Sequence, residues 1–182
     1  MTDERAREIS LALPAGVAAV GVFVNEDYDT VMRRVDRCRL RGVQLHGQES
    51  PELVKRLRAA DITVIKALFV NGSPTFKDTD AYAEASAFLV EAVGGPLPGG
   101  NALSWDWRAV SGKVGEGAPL VLAGGLHAGN VAEAIAAASP DAVDVSSGVE
   151  ASPGRKDLSK VREFLEAVRR AEILRPPRAV FF

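Results

Sequence analysis

Cysteine is nearly absent: Cys38 is the only one in 182 residues. A single thiol cannot close an internal disulfide, and it excludes every metal site built from several cysteines. Histidine is almost as scarce. His46 and His127 are the only two, and they lie too far apart in sequence to show ligand spacing. No apolar run approaches the roughly 18 residues that a membrane-spanning helix needs. No basic start leads into an apolar stretch, so no secretory signal is read. Neither sign of charge dominates: the formal net charge of −2 leaves no basic footprint for nucleic acid and no acidic tail. A cytoplasmic protein without nucleic-acid or membrane partners is expected. What the chain has is apolar residues, 47% of the total, enough at this length for one buried core.

The apolar residues follow two alternating rhythms. Thr2 suits a helix N-cap, followed by Asp3 and Glu4 at the positive end of the helix dipole. The run from Val17 to Val24 is apolar throughout, as for a parallel strand covered on both faces. Tyr28, Val31, Met32, Val35 and Cys38 then recur at helical spacing, which places Cys38 on a buried stripe as a small core residue rather than a catalytic thiol. Further strands are read at Val43–His46, Ile62–Ala67, Phe88–Glu91, Leu120–Ala123 and Ala142–Val145. Between them lie a helix opened by Ser50-Pro51, a weak helix at Asp78–Ser86, a Gly/Pro loop at Gly94–Gly100, a short helix at Trp105–Val110 and an alanine-rich helix at Asn130–Ala138. A long helix at Leu158–Leu174 closes the series. Residues 1–174 read as one domain, and 175–182 as a tail that either packs on a partner or is loose. Six strands alternating with helices indicate a parallel α/β fold. The pattern alone leaves both an open doubly wound sheet and a closed barrel, although no G-x-G-x-x-G follows the first strand.

Polar residues recur at the C-terminal ends of these strands: Asn25, His46, Lys66, Glu91 and Asp144. Singly, each has a plain explanation, such as a snorkelling lysine, a satisfied core histidine or a turn-capping aspartate. Together, at equivalent positions, they are expected to converge on one pocket, as strand ends do at the mouth of a β/α barrel. Gly124-Gly125 ends one strand, and Ser146-Ser147-Gly148 ends the next. Small residues at adjacent strand ends let backbone N–H groups approach phosphate oxygens.

The ordered motifs Gly21-Val-Phe-Val-Asn25, Gln44-Leu-His-Gly47, Val64-Ile-Lys-Ala67, Leu122-Ala-Gly-Gly-Leu126, Val143-Asp-Val-Ser-Ser-Gly-Val-Glu150 and Pro153-Gly154 before Lys156-Asp157 resemble the phosphoribosylanthranilate isomerases. The resemblance runs from Arg5 to about Arg169. It implies a (β/α)8 barrel, or TIM barrel, with no cofactor and no metal. It also implies an Amadori rearrangement of N-(5-phosphoribosyl)anthranilate in tryptophan biosynthesis, which needs one acid and one base. Glu91 falls at the acid's position, normally aspartate. His46 and Asp144 match substrate-binding positions, and Gly124, Gly125, Ser146, Ser147 and Gly148 match the phosphate cradle.

The resemblance further implies a leading strand with Lys-x-Cys-Gly, whose cysteine is the base, then a helix and a strand ending in Ser-Pro-Arg. Neither motif occurs in these residues. The family's first strand, first helix and second strand are therefore expected to be missing, with Met1 an internal methionine of a longer reading frame. The 182-residue chain alone is expected to be weak or inactive. Two other readings stay open: a noncatalytic phosphosugar-binding remnant, and an interaction module completed by another chain. Expected partners are a small phosphosugar and either a homodimer mate or a chain paired at exposed strand edges.

Overall fold

The computed structural model describes residues 1–92, 105–112, 114 and 117–181. Six parallel strands form one sheet in chain order: β1 (Val20–Phe23), β2 (Gly42–Leu45), β3 (Thr63–Phe69), β4 (Ala87–Glu91), β5 (Leu120–Leu122) and β6 (Ala142–Val143). A doubly wound sheet reverses its strand order at a switch point. This sheet never does, so the order favours a barrel arc. The curl is direct to see. Val22 on β1 and Asp144 beyond β6 line the same cleft, whereas five flat strand spacings would part them by roughly 24 Å.

Helices α1 (Asp3–Ala12), α2 (Tyr28–Cys38), α3 (Pro51–Ala59), α4 (Val131–Ala138) and α5 (Leu158–Arg170) connect or flank the strands. Local chemistry sets their starts. The side chains of Thr2, Asp27, Ser50 and Asp157 each accept a hydrogen bond from a first-turn N–H. The apolar faces of α2 (Val31, Val35), α3 (Val54, Leu57) and α4 (Val131, Ala134, Ile135) pack on the outer face of the sheet, against Val64 and Leu68, Phe88 and Val90, and Leu120 and Leu122. Cys38 is buried, and its Sγ faces the Asp3 carbonyl of α1 at 3.6 Å. The alternate residues Ile65, Ala67 and Phe69, Ala87 and Leu89, and Val121 and Ala123 form a separate inner cluster. Its alanines leave room for the sheet to curl.

Several elements differ from the sequence reading. The first strand covers only Val20–Phe23, and Val22 is 61% exposed, because no described residue covers the inner side of β1 there. Only Thr79–Tyr82 of the weak helix is helical, as a 3-10 turn, and the short tryptophan helix is likewise a 3-10 turn at Trp107–Val110. The last parallel strand pairs over two residues, and the final helix stops at Arg170. A small hairpin, β7 (Glu150–Ser152) with β8 (Arg155–Lys156), turns at Pro153-Gly154, where Gly154 takes φ +77°. The Gly94–Gly100 loop lies outside the described residues.

The tail packs back on the chain's own sheet. Arg175 and Arg178 converge on the Asp141 carboxylate at the foot of β6, at 2.6 and 2.7 Å, and the Asp141 side chain is fully buried. Asp141 also accepts the N–H groups of Arg178 and Leu120, both at 2.8 Å. From this clamp the chain crosses the N-terminal ends of the strands. Val180 and Phe181 then pack on the inner cluster, with the Phe181 ring against Gly42, where a Cβ would stand only 3.1 Å from it. Burial works to raise the Asp141 carboxyl, but the two guanidiniums and two N–H groups overcome it and hold it well below the carboxylate range. An acid ionised more readily folded than unfolded stabilises the fold fully above its ordinary value of 3.8. That contribution is lost as pH falls further, through the lowered folded value. Asp141→Asn is expected to cost about 2–3 kcal/mol at pH 7. In urea titrations the cost should shrink as pH falls below the ordinary carboxylate range, and an equal cost at pH 7 and pH 3 would reject the clamp.

Candidate active site

The C-terminal ends of the strands surround a cleft of about 270 Å³. All eight candidate residues line it: His46, Glu91 and Asp144, with Gly124, Gly125, Ser146, Ser147 and Gly148. β2 supplies His46 one residue past its end, and β4 supplies Glu91 as its last residue. The remaining six lie on the turns after β5 and β6. Val22 and Gln44 also face the cleft. Neither stood among the candidates, although Gln44 lies two residues before His46 and so shares its face of the strand.

His46 and Glu91 are both buried, at 6% exposure each. His46 Nε2 lies 2.9 Å from Glu91 Oε1, and its Nδ1 lies 3.0 Å from Gln44 Nε2. The Phe69 and His46 rings pack nearly perpendicular, at 87°, with a centroid distance of 5.7 Å. Asp144 is reached by solvent through the mouth of the cleft. Crowding by the cleft walls pushes its carboxyl up, and the nearby Glu91 pushes it further; His46 and Lys156 oppose both. The open mouth lets water offset part of that push.

The two small-residue turns have geometric reasons for their composition. Gly124 and Gly125 take φ +85° and +67°, a region that favours glycine. A Cβ on Gly124 would also stand 3.2 Å from both Glu91 Cβ and Trp105 Nε1. At Gly148 a Cβ would overlap the Leu126 carbonyl. Asn130 braces the first turn, donating to the Gly125 carbonyl at 2.9 Å and accepting from the His127 N–H at 2.8 Å. Lys156 on β8 braces the second, with Nζ 2.9 Å from the Ser146 carbonyl and 2.8 Å from Glu150 Oε1. The hairpin thus delivers a cation beside the serine turn. Among the described residues, no three His, Cys, Asp or Glu side chains are grouped to hold a metal ion.

Lys66 and Asn25 do not join the cleft. Lys66 pairs in register with Leu45 and Phe88, both on the outer face, so its side chain leaves the sheet on the side opposite Glu91. It is fully buried there. Nζ donates to Glu49 Oε2 at 2.8 Å, the Gly47 carbonyl at 2.8 Å and the Leu45 carbonyl at 3.1 Å. Asn25, at φ 56°, donates its N–H to Glu49 Oε1 at 2.9 Å, and its side-chain oxygen accepts from the Gln48 N–H at 2.7 Å. Burial works to raise the Glu49 carboxyl, but Lys66 and the Asn25 N–H hold it below its usual range. Burial pulls Lys66 down from 10.5.

The geometry has close counterparts. The family model for N-(5'-phosphoribosyl)anthranilate isomerase matches residues 1–167. This chain belongs to the phosphoribosylanthranilate isomerase family. The isomerase of Desulfatibacillum aliphaticivorans is 52% identical over 179 residues, covering 98% of this chain and 81% of that relative. The crystal structure of the Thermotoga maritima phosphoribosylanthranilate isomerase superposes with a TM-score of 0.81 at 37% identity, over 93% of this chain and 81% of that one. A further family structure, in complex with reduced 1-(o-carboxyphenylamino)-1-deoxyribulose 5-phosphate, gives 0.78 at 36% identity, over 93% and 80%. The family's activity is an isomerisation in tryptophan biosynthesis, and its fold is the (β/α)8 barrel, of which the six parallel strands here form an arc.

Because Lys66 and Glu49 neutralise each other where water cannot reach, removing one strands the other. Lys66→Met is expected to cost about 3–5 kcal/mol in chemical denaturation. A cost under about 1 kcal/mol would mean the pair does not hold the strand ends.

Proposed function

We propose that these residues form the acid side and the phosphate site of a phosphoribosylanthranilate isomerase, with Glu91 as the general acid. The observation that carries this reading is Glu91 buried in the cleft that the Gly124-Gly125 and Ser146–Gly148 turns also line, with Gly124 directly beside it. A phosphate at those turns places the ribose over the floor of the cleft. Glu91 then protonates the ring oxygen, and the ring opens to a Schiff base. His46 and Asp144 line the same cleft. A base must next take the C2 proton from the other side of the sugar. The family pattern assigns that to a cysteine in Lys-x-Cys-Gly, a motif outside these 182 residues. The acid half alone gives little turnover. The complex of a family member with a phosphosugar analogue supports a phosphosugar substrate here.

The test pairs two readouts in a polypeptide that also carries the base-bearing segment. Glu91→Gln is expected to lower kcat about 10²–10⁴-fold, followed by the fluorescence of phosphoribosylanthranilate. The variant should still bind inorganic phosphate, with amide shifts at Gly125 and Gly148. Turnover within tenfold of the parent removes Glu91 as the acid. Phosphate binding without turnover even in the parent polypeptide would favour the noncatalytic remnant.

A cytoplasmic location fits a biosynthetic isomerase; among the described residues no helix is long and apolar enough to cross a membrane. β1 and β6 are the two edges of the sheet, and Val17, Val22 and Val24 are exposed at or near β1. We place association with a second copy at the β1 edge because of these exposed valines; that the Thermotoga maritima isomerase is described as dimeric supports association alone. The 182-residue chain should elute earlier from size exclusion as concentration rises, and elution as a monomer at all concentrations contradicts this.

A further inference from the structure

We propose that Gln44 is a positioning residue that keeps His46 neutral and thereby assigns the cleft's exchangeable proton to Glu91. This rests on the reading of Glu91 as the acid and names the device that keeps it loaded.

What each atom can donate or accept fixes the tautomer. Gln44 presents its amide nitrogen, Nε2, to His46 Nδ1 at 3.0 Å. An amide nitrogen donates and cannot accept. Nδ1 is therefore the acceptor, and the hydrogen of the neutral ring lies on Nε2. That nitrogen faces Glu91 Oε1 at 2.9 Å and donates to it. Both ring nitrogens are then engaged. A second proton cannot enter at Nδ1 unless the Gln44 amide turns over, so a proton arriving at the pair goes to Glu91 Oε2, the carboxyl oxygen not held by His46. With the amide reversed, Nδ1 would donate to the Gln44 oxygen, the ring would take the proton as imidazolium, and Glu91 would remain a carboxylate with nothing to give.

The surroundings support the same assignment. The Phe69 ring packs perpendicular to the imidazole at a centroid distance of 5.7 Å. Asp144, from the turn after β6, and Lys156, from β8, are the other charged groups acting within the cleft. Lys66 spends its three donors on the far face of the sheet. Glutamate rather than aspartate at this position gives the carboxyl its reach to His46. In the ring-opening step the Oε2–H bond breaks as an O–H bond forms to the ribose ring oxygen. The C1–O electron pair goes to that oxygen, the substrate nitrogen forms the C=N bond, and Glu91 is left as a carboxylate accepting from Nε2–H.

Long-range 1H–15N correlation on histidine-labelled 182-residue chain reads the proton directly and needs no turnover. At pH 7 His46 should carry one ring proton, on Nε2, with Nδ1 bare; exposed His127 is the internal comparison. Gln44→Glu offers Nδ1 an acceptor and should show both His46 nitrogens protonated at the same pH. Gln44→Leu should give a mixture of the two neutral forms. In the polypeptide that also carries the base-bearing segment, Gln44→Glu should lower kcat about 10–100-fold with KM within about twofold. A proton on Nδ1 in the parent, or a folded Gln44→Glu whose ring is unchanged, overturns the proposal. If that variant fails to fold, the parent tautomer and Gln44→Leu decide. An Nε2–H tautomer together with normal turnover by Glu91→Gln would instead sink the acid reading and leave the tautomer assignment standing.

Discussion

The ends of three parallel strands are tied through one buried ammonium. Lys66 leaves β3 on the outer face and donates all three of its protons: to the Leu45 and Gly47 carbonyls after β2, and to Glu49. Glu49 in turn accepts the N–H of Asn25, after β1, and that of Gly47. Tyr82 adds its hydroxyl to the Glu49 carbonyl at 2.9 Å. Burying two charges is costly, and a satisfied pair of this kind adds little net stability over apolar packing. What it supplies is direction. With the carbonyls on either side of His46 both held outward, the imidazole between them points inward, onto Glu91. The cleft face of the sheet is thus fixed from its opposite face.

A second constraint acts at the other end of the strands. The inner cluster is built from small and branched residues, Ala67, Ala87 and Ala123 beside Ile65, Leu89 and Val121. An arc of six strands leaves that cluster open below. The tail closes it, with Val180 and Phe181 as the cover and the Asp141 clamp as the anchor. The site at the mouth and the plug at the foot therefore share one set of strands. Loosening the plug exposes apolar surface directly beneath Glu91 and His46.

The sequence made some of this plain and hid the rest for identifiable reasons. The helix from Tyr28 to Cys38 was legible because its apolar stripe keeps helical spacing. Strand alternation puts Gln44 on one face with His46, Leu89 with Glu91 and Val64 with Lys66. It could not say which face was inside, since a strand covered on both sides is apolar on both, and Lys66 went to the wrong one. The hairpin of β7 and β8 is too short to leave a period. The tail's role depends on Arg175 meeting Asp141, 34 residues earlier, a long-range pairing no local pattern carries. The glycine and serine turns were legible because only small residues fit where Leu126 and Trp105 press on them.

The charges in the cleft link binding to protonation. Glu91 and Asp144 share a small space, and the carboxyl of Asp144 is already pushed up by crowding and by Glu91. A phosphate seated in the glycine and serine turns adds further negative charge to the same walls. Lys156 offsets part of it, but it is also tied to Glu150 and to the Ser146 carbonyl. The remaining charge is relieved by taking up a proton, since two nearby carboxylates and a phosphate ionised together repel one another. By linkage, a ligand that favours the protonated site binds more tightly when the site is protonated. On the reading of Glu91 as the acid, substrate and acid proton arrive together, and the residue that decides where the proton rests decides whether the bound sugar meets an acid or a carboxylate.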